Sequence, residues 1–346
     1  RVMHGSGGAS QKFLLIPVSC TVAFESNGGT AVSPVSVRPR TATQAPPDPT
    51  RSGYTFGGWY SDQGLTTAYD FSAPVLGDLT LYARWSEVED SVARLWGQGA
   101  LDTMSSIVGA GSFAAGGTVV LATSAGYWDA LTAAGVAGLA GAPVLLTDGS
   151  SLSPQTASLL ARLRPATVVV CGGTLAVSDA TAGEAADAAG TSPRVVRCAG
   201  QTATGTACQI FSRASSDLGY SWSDTAVVAT NDGYWDALAA APYAYARHAP
   251  IFLAEGHSSL SEETLDSMAS GGITTVYVVG GELAVARAVE GQLAERGIEV
   301  AGRLAGENAV MTSAAIAEFE VSQGRSVDGL GVATVDGYWD ALTGAA

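Results

Sequence analysis

A ten-residue segment occurs three times in this chain, as ATSAGYWDAL at 122–131, ATNDGYWDAL at 229–238 and ATVDGYWDAL at 333–342. Its intervals of 107 and then 104 residues are the size of small domains, so the chain is built from repeated modules and not around one enzyme core. The repeat reaches beyond the decamer. RLWGQGALDT at 94–103 aligns with RCAGQTATGT at 197–206 and RLAGENAVMT at 303–312, while APVLLTDGSSLSP at 142–154 returns as APIFLAEGHSSLS at 249–261. VVVCGGTLAVSDA at 168–180 returns as VYVVGGELAVARA at 276–288. Copies at 94–196 and 197–302 are complete, and a third copy at 303–346 stops just after its GYWDAL element.

Within a copy, short β-branched runs alternate with longer amphipathic stretches. TVVLAT, PVLLT, TVVVCGG and RVVRCAG each lead into a segment with helical spacing. Apolar strands of four to six residues alternating with helices predict a parallel sheet covered on both faces. The linkers are short, so neighbouring modules are expected to be docked and not strung on tethers.

Composition narrows the function classes. Seventeen basic against 32 acidic residues give a net charge of −15, which argues against non-specific nucleic-acid binding but leaves room for local basic pockets. The 43 glycines and the alanine-rich stretches suggest close approach between small elements. No apolar run is long enough to span a membrane, and residues 1–17 lack the features of a secretion signal. The chain begins at Arg1, and both ends read as cuts in a longer polypeptide. Cys20, Cys171, Cys198 and Cys208 have no metal-ligand spacing and read as buried thiols, with Cys198 and Cys208 the one pair considered for a disulfide.

Residues 18–85 differ in character. Alternating runs such as VSCTVAFES and LTLYARW, with turn signals NGG at 27–29, PPDP at 46–49 and GG at 57–58, predict a small β-rich domain. Its aromatic residues, Phe24 to Trp85, read as core, with a carbohydrate platform as the alternative. The elements VAFESNGGTAVSP, DPTRSGYTFGGWYSD and YDFSAPVLGDLTLYARW make this segment resemble the Listeria–Bacteroides repeat of the internalin B-repeat type. That resemblance implies a β-grasp-like spacer or adhesive module on a bacterial surface. Residues 1–17 are then a tail or the remnant of a preceding module, and 86–93 a linker.

Residues 94–346 resemble the type 2 cell-wall-binding repeat family of Gram-positive surface proteins. The resemblance rests on the ordered set R-x-x-G, AT-x-x-GYWDAL, AP before a strand, and a strand ending in GG before a helix. It implies tandem Rossmann-like α/β modules with parallel sheets, grouped in threes about a pseudo-threefold axis, the third module here being truncated. It also implies non-covalent, non-catalytic anchoring to an anionic secondary cell-wall polymer at the cell surface. A protein-interaction or adhesin scaffold is the alternative, with a surface protein as partner, and a cell-envelope enzyme a lesser one. Additional modules or a second chain are candidates for completing the third repeat.

Several residues carry the chemistry such a protein needs. Arg94, Arg197 and Arg303 can each make a bidentate contact to phosphate or carboxylate, or brace their own modules through an acidic neighbour. Asp102 is one candidate neighbour, but its counterpart Gly205 has no carboxylate. Tyr127, Trp128 and Asp129 recur as Tyr234, Trp235, Asp236 and Tyr338, Trp339, Asp340 at a helix start, where they suit module docking or sugar stacking. Gly172–Gly173 and Gly280–Gly281 end strands before helices, as tight turns or as loops that receive an anion. No GxGxxG fingerprint is present, and no cofactor or metal is expected. His4, His248 and His257 do not recur. Ser124 becomes Asn231 and Val335, which argues against a repeated nucleophile, and Asp148 becomes Glu255 in a turn that reads as solvated.

Overall fold

The computed structural model describes residues 19–87, 92–326 and 329–344, so the tail expected at 1–17 lies outside the described residues. The chain divides into two compact units, Arg1–Ala93 and Arg94–Ala346.

In the first unit, β1 (Cys20–Glu25), β2 (Val35–Val37), β3 (Tyr54–Tyr60) and β4 (Leu79–Glu87) form one sheet in the order β2-β1-β4-β3. The central pair β1–β4 is parallel and the outer pairs are antiparallel. The NGG turn matters for a packing reason: a side chain on Gly29 would lie 2.4 Å from the Trp85 ring, whose Nε1 donates to the Ser26 carbonyl at 2.8 Å. Cys20, Val22, Trp59, Val75, Leu81 and Ala83 form the buried centre, with Phe24, Phe56, Tyr69, Phe71 and Trp85 packed around it. The aromatic residues of this segment therefore serve largely as core.

The second unit contains two sheets of the same design. The first module comprises α1 (Ala100–Ala110), β5 (Thr118–Thr123), α2 (Trp128–Leu131), α3 (Ala133–Ala140), β6 (Val144–Thr147), α4 (Pro154–Leu163), β7 (Thr167–Cys171), α5 (Asp179–Ala189) and β8 (Arg194–Cys198). The next comprises α6 (Ala203–Ser216), β9 (Thr225–Thr230), α7 (Trp235–Arg247), β10 (Ile251–Ala254), α8 (Glu262–Ser270), β11 (Thr275–Val279), α9 (Arg287–Glu295) and β12 (Glu299–Leu304). The third is represented by α10 (Ala309–Ser322) and α11 (Trp339–Gly344), with no strand between them among the described residues.

Both sheets are parallel, in the orders β6-β5-β7-β8 and β10-β9-β11-β12. The chain leaves β5 for one side and returns to its other side at β7, so the loops after these two strands flank a topological switch point. Sequence and fold are out of register here. The copies read from Arg197 and Arg303 begin inside β8 and β12, the last strands of the preceding sheets, because hydrogen-bonded neighbours decide which sheet a strand joins.

Helix starts follow local chemistry. Ser178, Thr202, Ser261 and Asn308 accept the amide hydrogens of Thr181, Gly205, Thr264 and Met311 as N-caps. Along β9, alternate residues face different cores. Val227 and Ala229 join the core shared with the first module, while Ala226 and Val228 join the second module's own core. The shared core also takes in Ile316 of α10 and Leu342 of α11, so all three modules contribute to it.

Candidate functional site

The repeated YWD triplets converge. Tyr127, Tyr234 and Tyr338 form a closed triangle, with ring centroids 5.3, 5.3 and 5.5 Å apart and interplanar angles of 62–64°. Edge-to-face contact of this kind is favourable for aromatic rings, and its near-equal geometry marks a pseudo-threefold axis. Each tyrosine also lies on the tryptophan that follows it, at 4.4, 4.5 and 4.4 Å.

The second and third triplets hold the next module by its backbone. Tyr234 Oη and Trp235 Nε1 both donate to the Val335 carbonyl at 3.1 Å. Tyr338 Oη and Trp339 Nε1 donate to the Ser124 carbonyl at 3.4 and 2.9 Å. Ser124, Asn231 and Val335 occupy one repeat position, and the atom used there is the carbonyl, so the side chain is free to vary. The direction is cyclic, from the second module to the third and from the third to the first. α11 packs against α1 and closes the ring.

The aspartates fill the glycine loops. Gly172 and Gly280 have φ of +104° and +101°, and a side chain on either would lie 2.4 Å from Oδ2 of Asp129 or Asp236. Positive φ and the nearby carboxylate both require glycine. The amides of Gly172 and Gly280 donate to the carbonyls of Cys198 and Leu304, which leaves Gly173 and Gly281 as the loop residues not held by that pairing. Burial raises the carboxyl pKa of Asp129, and a hydrogen bond from the Thr206 side chain opposes the rise. Asp236 is raised by burial in the same way, with Thr312 opposing. Thr206 lies on α6 and Thr312 on α10, so each aspartate reaches an element of the following module.

Sequence reading passed over these threonines. Thr103, Thr206 and Thr312 stand six residues after the glycine of R-x-x-G, and their hydroxyls accept the amides of Gly97, Gly200 and Gly306 at 3.1, 3.2 and 3.1 Å. The signal was the threonine that ends all three of GQGALDT, GQTATGT and GENAVMT. The glycines are sterically required, since a side chain at Gly97, Gly200 or Gly306 would come within 2.2–2.3 Å of the following helix.

Two arginines brace the same loops from the far strand. Arg197 donates through Nη1 to the Gly172 carbonyl and through Nη2 to Asp179 Oδ1, both at 3.0 Å. Arg303 donates to the carbonyls of Gly280 and Val285 at 2.8 and 2.9 Å, and through Nε to Glu290 Oε1 at 3.1 Å. The acidic partner moves because Asp179 is replaced by Arg287 at the same repeat position. Asp102 instead accepts from Gln155. Arg94 is exposed and lies in an irregular segment before α1. His257 pairs with Asp232 at 2.8 Å. Asp148 accepts from Ser150 within its turn, which lowers its pKa, and Glu255 accepts from Thr204.

Trp128, Trp235 and Trp339 remain 45%, 44% and 40% exposed. Leu175 and Leu283, at one repeat position after the glycine loops, are almost fully exposed. Trp128 and Trp235 lie just beyond the carboxyl ends of β5 and β9, while no strand precedes Trp339 in the third module among the described residues.

Comparison with known proteins places this architecture. The model of cell wall binding domain 2 matches residues 94–182 and 197–290, just over half of the chain. The chain belongs to the cell wall binding domain 2 family. Residues 21–84 match the Listeria-Bacteroides repeat domain. Cwp6 from Clostridium difficile shares the fold with a TM-score of 0.63 at 20% identity, over 75% of this chain and 42% of that one. Cwp8 from the same organism gives 0.58 at 21% identity, over 85% of this chain and 54% of that one. A putative Gly-rich membrane protein of Evansella cellulosilytica is 48% identical over 66 residues, 19% of this chain and 8% of its own length. N-acetylmuramoyl-L-alanine amidase LytC of Bacillus subtilis is 29% identical over 215 residues, 62% of this chain and 41% of its own. The chain thus spans less than half the length of these curated relatives. Membership of a cell wall binding family fits a cell-surface location. Among the described residues no helix is long and apolar enough to cross a membrane.

Proposed function

We propose that residues 94–346 hold a surface protein non-covalently on an anionic secondary cell-wall polymer, without catalysing a reaction, and that residues 18–85 act as a spacer or adhesive unit. The observation that carries this reading is the threefold recurrence of one aromatic constellation around one axis. A polymer with repeating units can engage several equivalent weak contacts at once, and linked contacts raise avidity without any one being strong. A single catalytic centre gains nothing from such repetition.

The contacts assigned to the polymer are the open faces of Trp128, Trp235 and Trp339, with Tyr127, Tyr234, Tyr338 and Asp129, Asp236, Asp340 serving to dock modules. A chain of charge −15 does not attract a polyanion as a whole. Stacking, the loop amides of Gly173 and Gly281, and Arg94 supply local contacts instead. Arg197 and Arg303 act mainly through the loops that they brace.

The test is co-sedimentation with purified Gram-positive cell walls before and after extraction of their secondary polymer. Saturable binding that is lost on extraction is expected. Trp128→Ala, Trp235→Ala and Trp339→Ala should each weaken binding by roughly three- to tenfold, the loss of about one aromatic contact, while near-ultraviolet circular dichroism reports whether the tyrosine triangle persists. Binding that survives extraction would sink the polymer assignment and favour a protein partner. The amidase relative raises wall cleavage as the competing activity, and an unchanged wall-suspension turbidity in the same assay is the expected result.

A further inference from the structure

We propose that Cys171 and Cys198 are a disulfide-forming pair that fastens the edge strand β8 to β7 when the chain folds in an oxidising compartment. The two residues are direct cross-strand partners in the parallel pairing of β7 with β8. Adjacent strands lie about 4.8 Å apart, inside the range of Cα separations that a disulfide spans. Both side chains are buried, at 0% and 1% exposure, in the core shared by the modules. They therefore point to the same face of the sheet.

The second module supplies an internal comparison. Its cross-strand pair at these positions is Val279 with Leu304, an aliphatic pair of which Val279 is buried in the same shared core and Leu304 is partly buried against it. One copy thus has two cysteines where the other has two hydrocarbons, and replacement of both members of a contacting pair points to a bond between them. The other cysteines lie elsewhere. Cys20 belongs to the β-rich unit, and Cys208, on α6, faces the second module's own core and meets Thr264 Oγ1 at 3.6 Å. The pairing of Cys198 with Cys208 considered from sequence therefore joins residues that face different cores.

The bond forms by thiol–disulfide exchange with a low-molecular-weight disulfide, RSSR. One cysteine thiolate attacks RSSR and releases RS⁻. The second thiolate then attacks the mixed disulfide, forms the Sγ–Sγ bond and releases a second RS⁻. Two protons and two electrons leave the cysteines, and RSSR becomes two RSH. In the folded protein burial holds the Cys171 thiol well above its ordinary pKa and pushes Cys198 up to about 12, so little thiolate is present. Exchange accordingly belongs to the folding chain, before β8 docks. The location matters because the bond lies directly beneath the Gly172 loop and Arg197, at the strand from which the chain passes to the next module. The oxidising compartment rests on the cell-surface reading, whereas the chemistry can be tested apart from wall binding.

The full chain would be reduced, denatured and refolded with reduced and oxidised glutathione, then alkylated under denaturing conditions and digested without reduction. Tandem mass spectrometry should find Cys171 linked to Cys198, with Cys20 and Cys208 alkylated. The oxidised protein should melt several degrees above the reduced one, roughly 5 °C or more for a bond closing a loop of this length. The variant Cys171→Val/Cys198→Leu, which carries the second module's own pair, should show no such redox dependence. Alkylation of all four cysteines, a lasting glutathione adduct on either residue, or a Cys198–Cys208 link would overturn the proposal. The peptide assignment uses the unaltered chain, so it decides the matter even if the variant folds poorly.

Discussion

Asp129 and Asp236 sit where burial opposes their charge, and only a threonine hydroxyl from the next module offsets the cost. Their folded-state pKa values lie above the ordinary 3.8, so the folded chain binds more protons than the unfolded chain between that value and the raised one. Stability from these groups is therefore fully present below about pH 3.8 and is lost as pH rises through the raised values. Asp129→Asn/Asp236→Asn should remove that slope, which urea unfolding at a series of mildly acid pH values would reveal; an unchanged slope would place the titration elsewhere. Arg197 and Arg94 make a second residue-scale contrast. Arg197→Ala removes hydrogen bonds to the Gly172 carbonyl and to Asp179 and should cost about 2 kcal/mol. Arg94→Ala, at an exposed position, should stay within about 0.5 kcal/mol. Equal costs in urea unfolding would mean that the loop bracing has no energetic consequence.

The element that joins the first two modules most closely is α3, AAGVAGLA, whose residues from Ala133 to Gly138 are all buried. A helix without a polar face must be enclosed, and its glycines let it approach backbone to backbone. A methyl group on Gly138 would fall 2.0 Å from the Tyr245 carbonyl oxygen, and one on Gly135 would fall 2.4 Å from that of Ala249. Helix propensity favours alanine by about 1 kcal/mol, but overpacking a backbone contact costs about 1–3 kcal/mol, so Gly138→Ala should destabilise the chain in chemical unfolding, and a net stabilisation would show that α3 and α7 can separate. The small-residue character of α3 was legible in sequence, as were the β-branched strands and the recurring helix starts. The direction of docking was not. Tyr234 and Trp235 reach the carbonyl of residue 335, and a carbonyl leaves no trace in residue identity. Thr103, Thr206 and Thr312 were visible as a repeated letter, yet the task of Thr206 and Thr312, joining a glycine amide to a neighbour's aspartate, became evident only when strands were assigned to sheets.

At the scale of the chain, cohesion is uneven. The β-rich unit has its own core around Trp59 and Leu81, while one core runs from Val119 of the first module through Val227 of the second to Ile316 and Leu342 of the third. A continuous core with a three-way tyrosine contact couples the modules, because opening any one of them exposes apolar surface on its neighbours. Residues 94–346 should therefore unfold in one cooperative transition and the β-rich unit in another. Calorimetry on the full chain can separate them by substitution. Gly138→Ala should lower the larger transition by roughly 2–4 °C, the shift that a net cost of about 1 kcal/mol gives a region of this size, and leave the smaller in place. Trp59→Ala, which empties the centre of the small core, should do the reverse. If the α/β region instead melted in separate steps, with the first module surviving loss of the second, the tyrosine triangle would be a meeting of independent domains. The multivalent grip proposed for the wall would then rest on three sites with no fixed spacing.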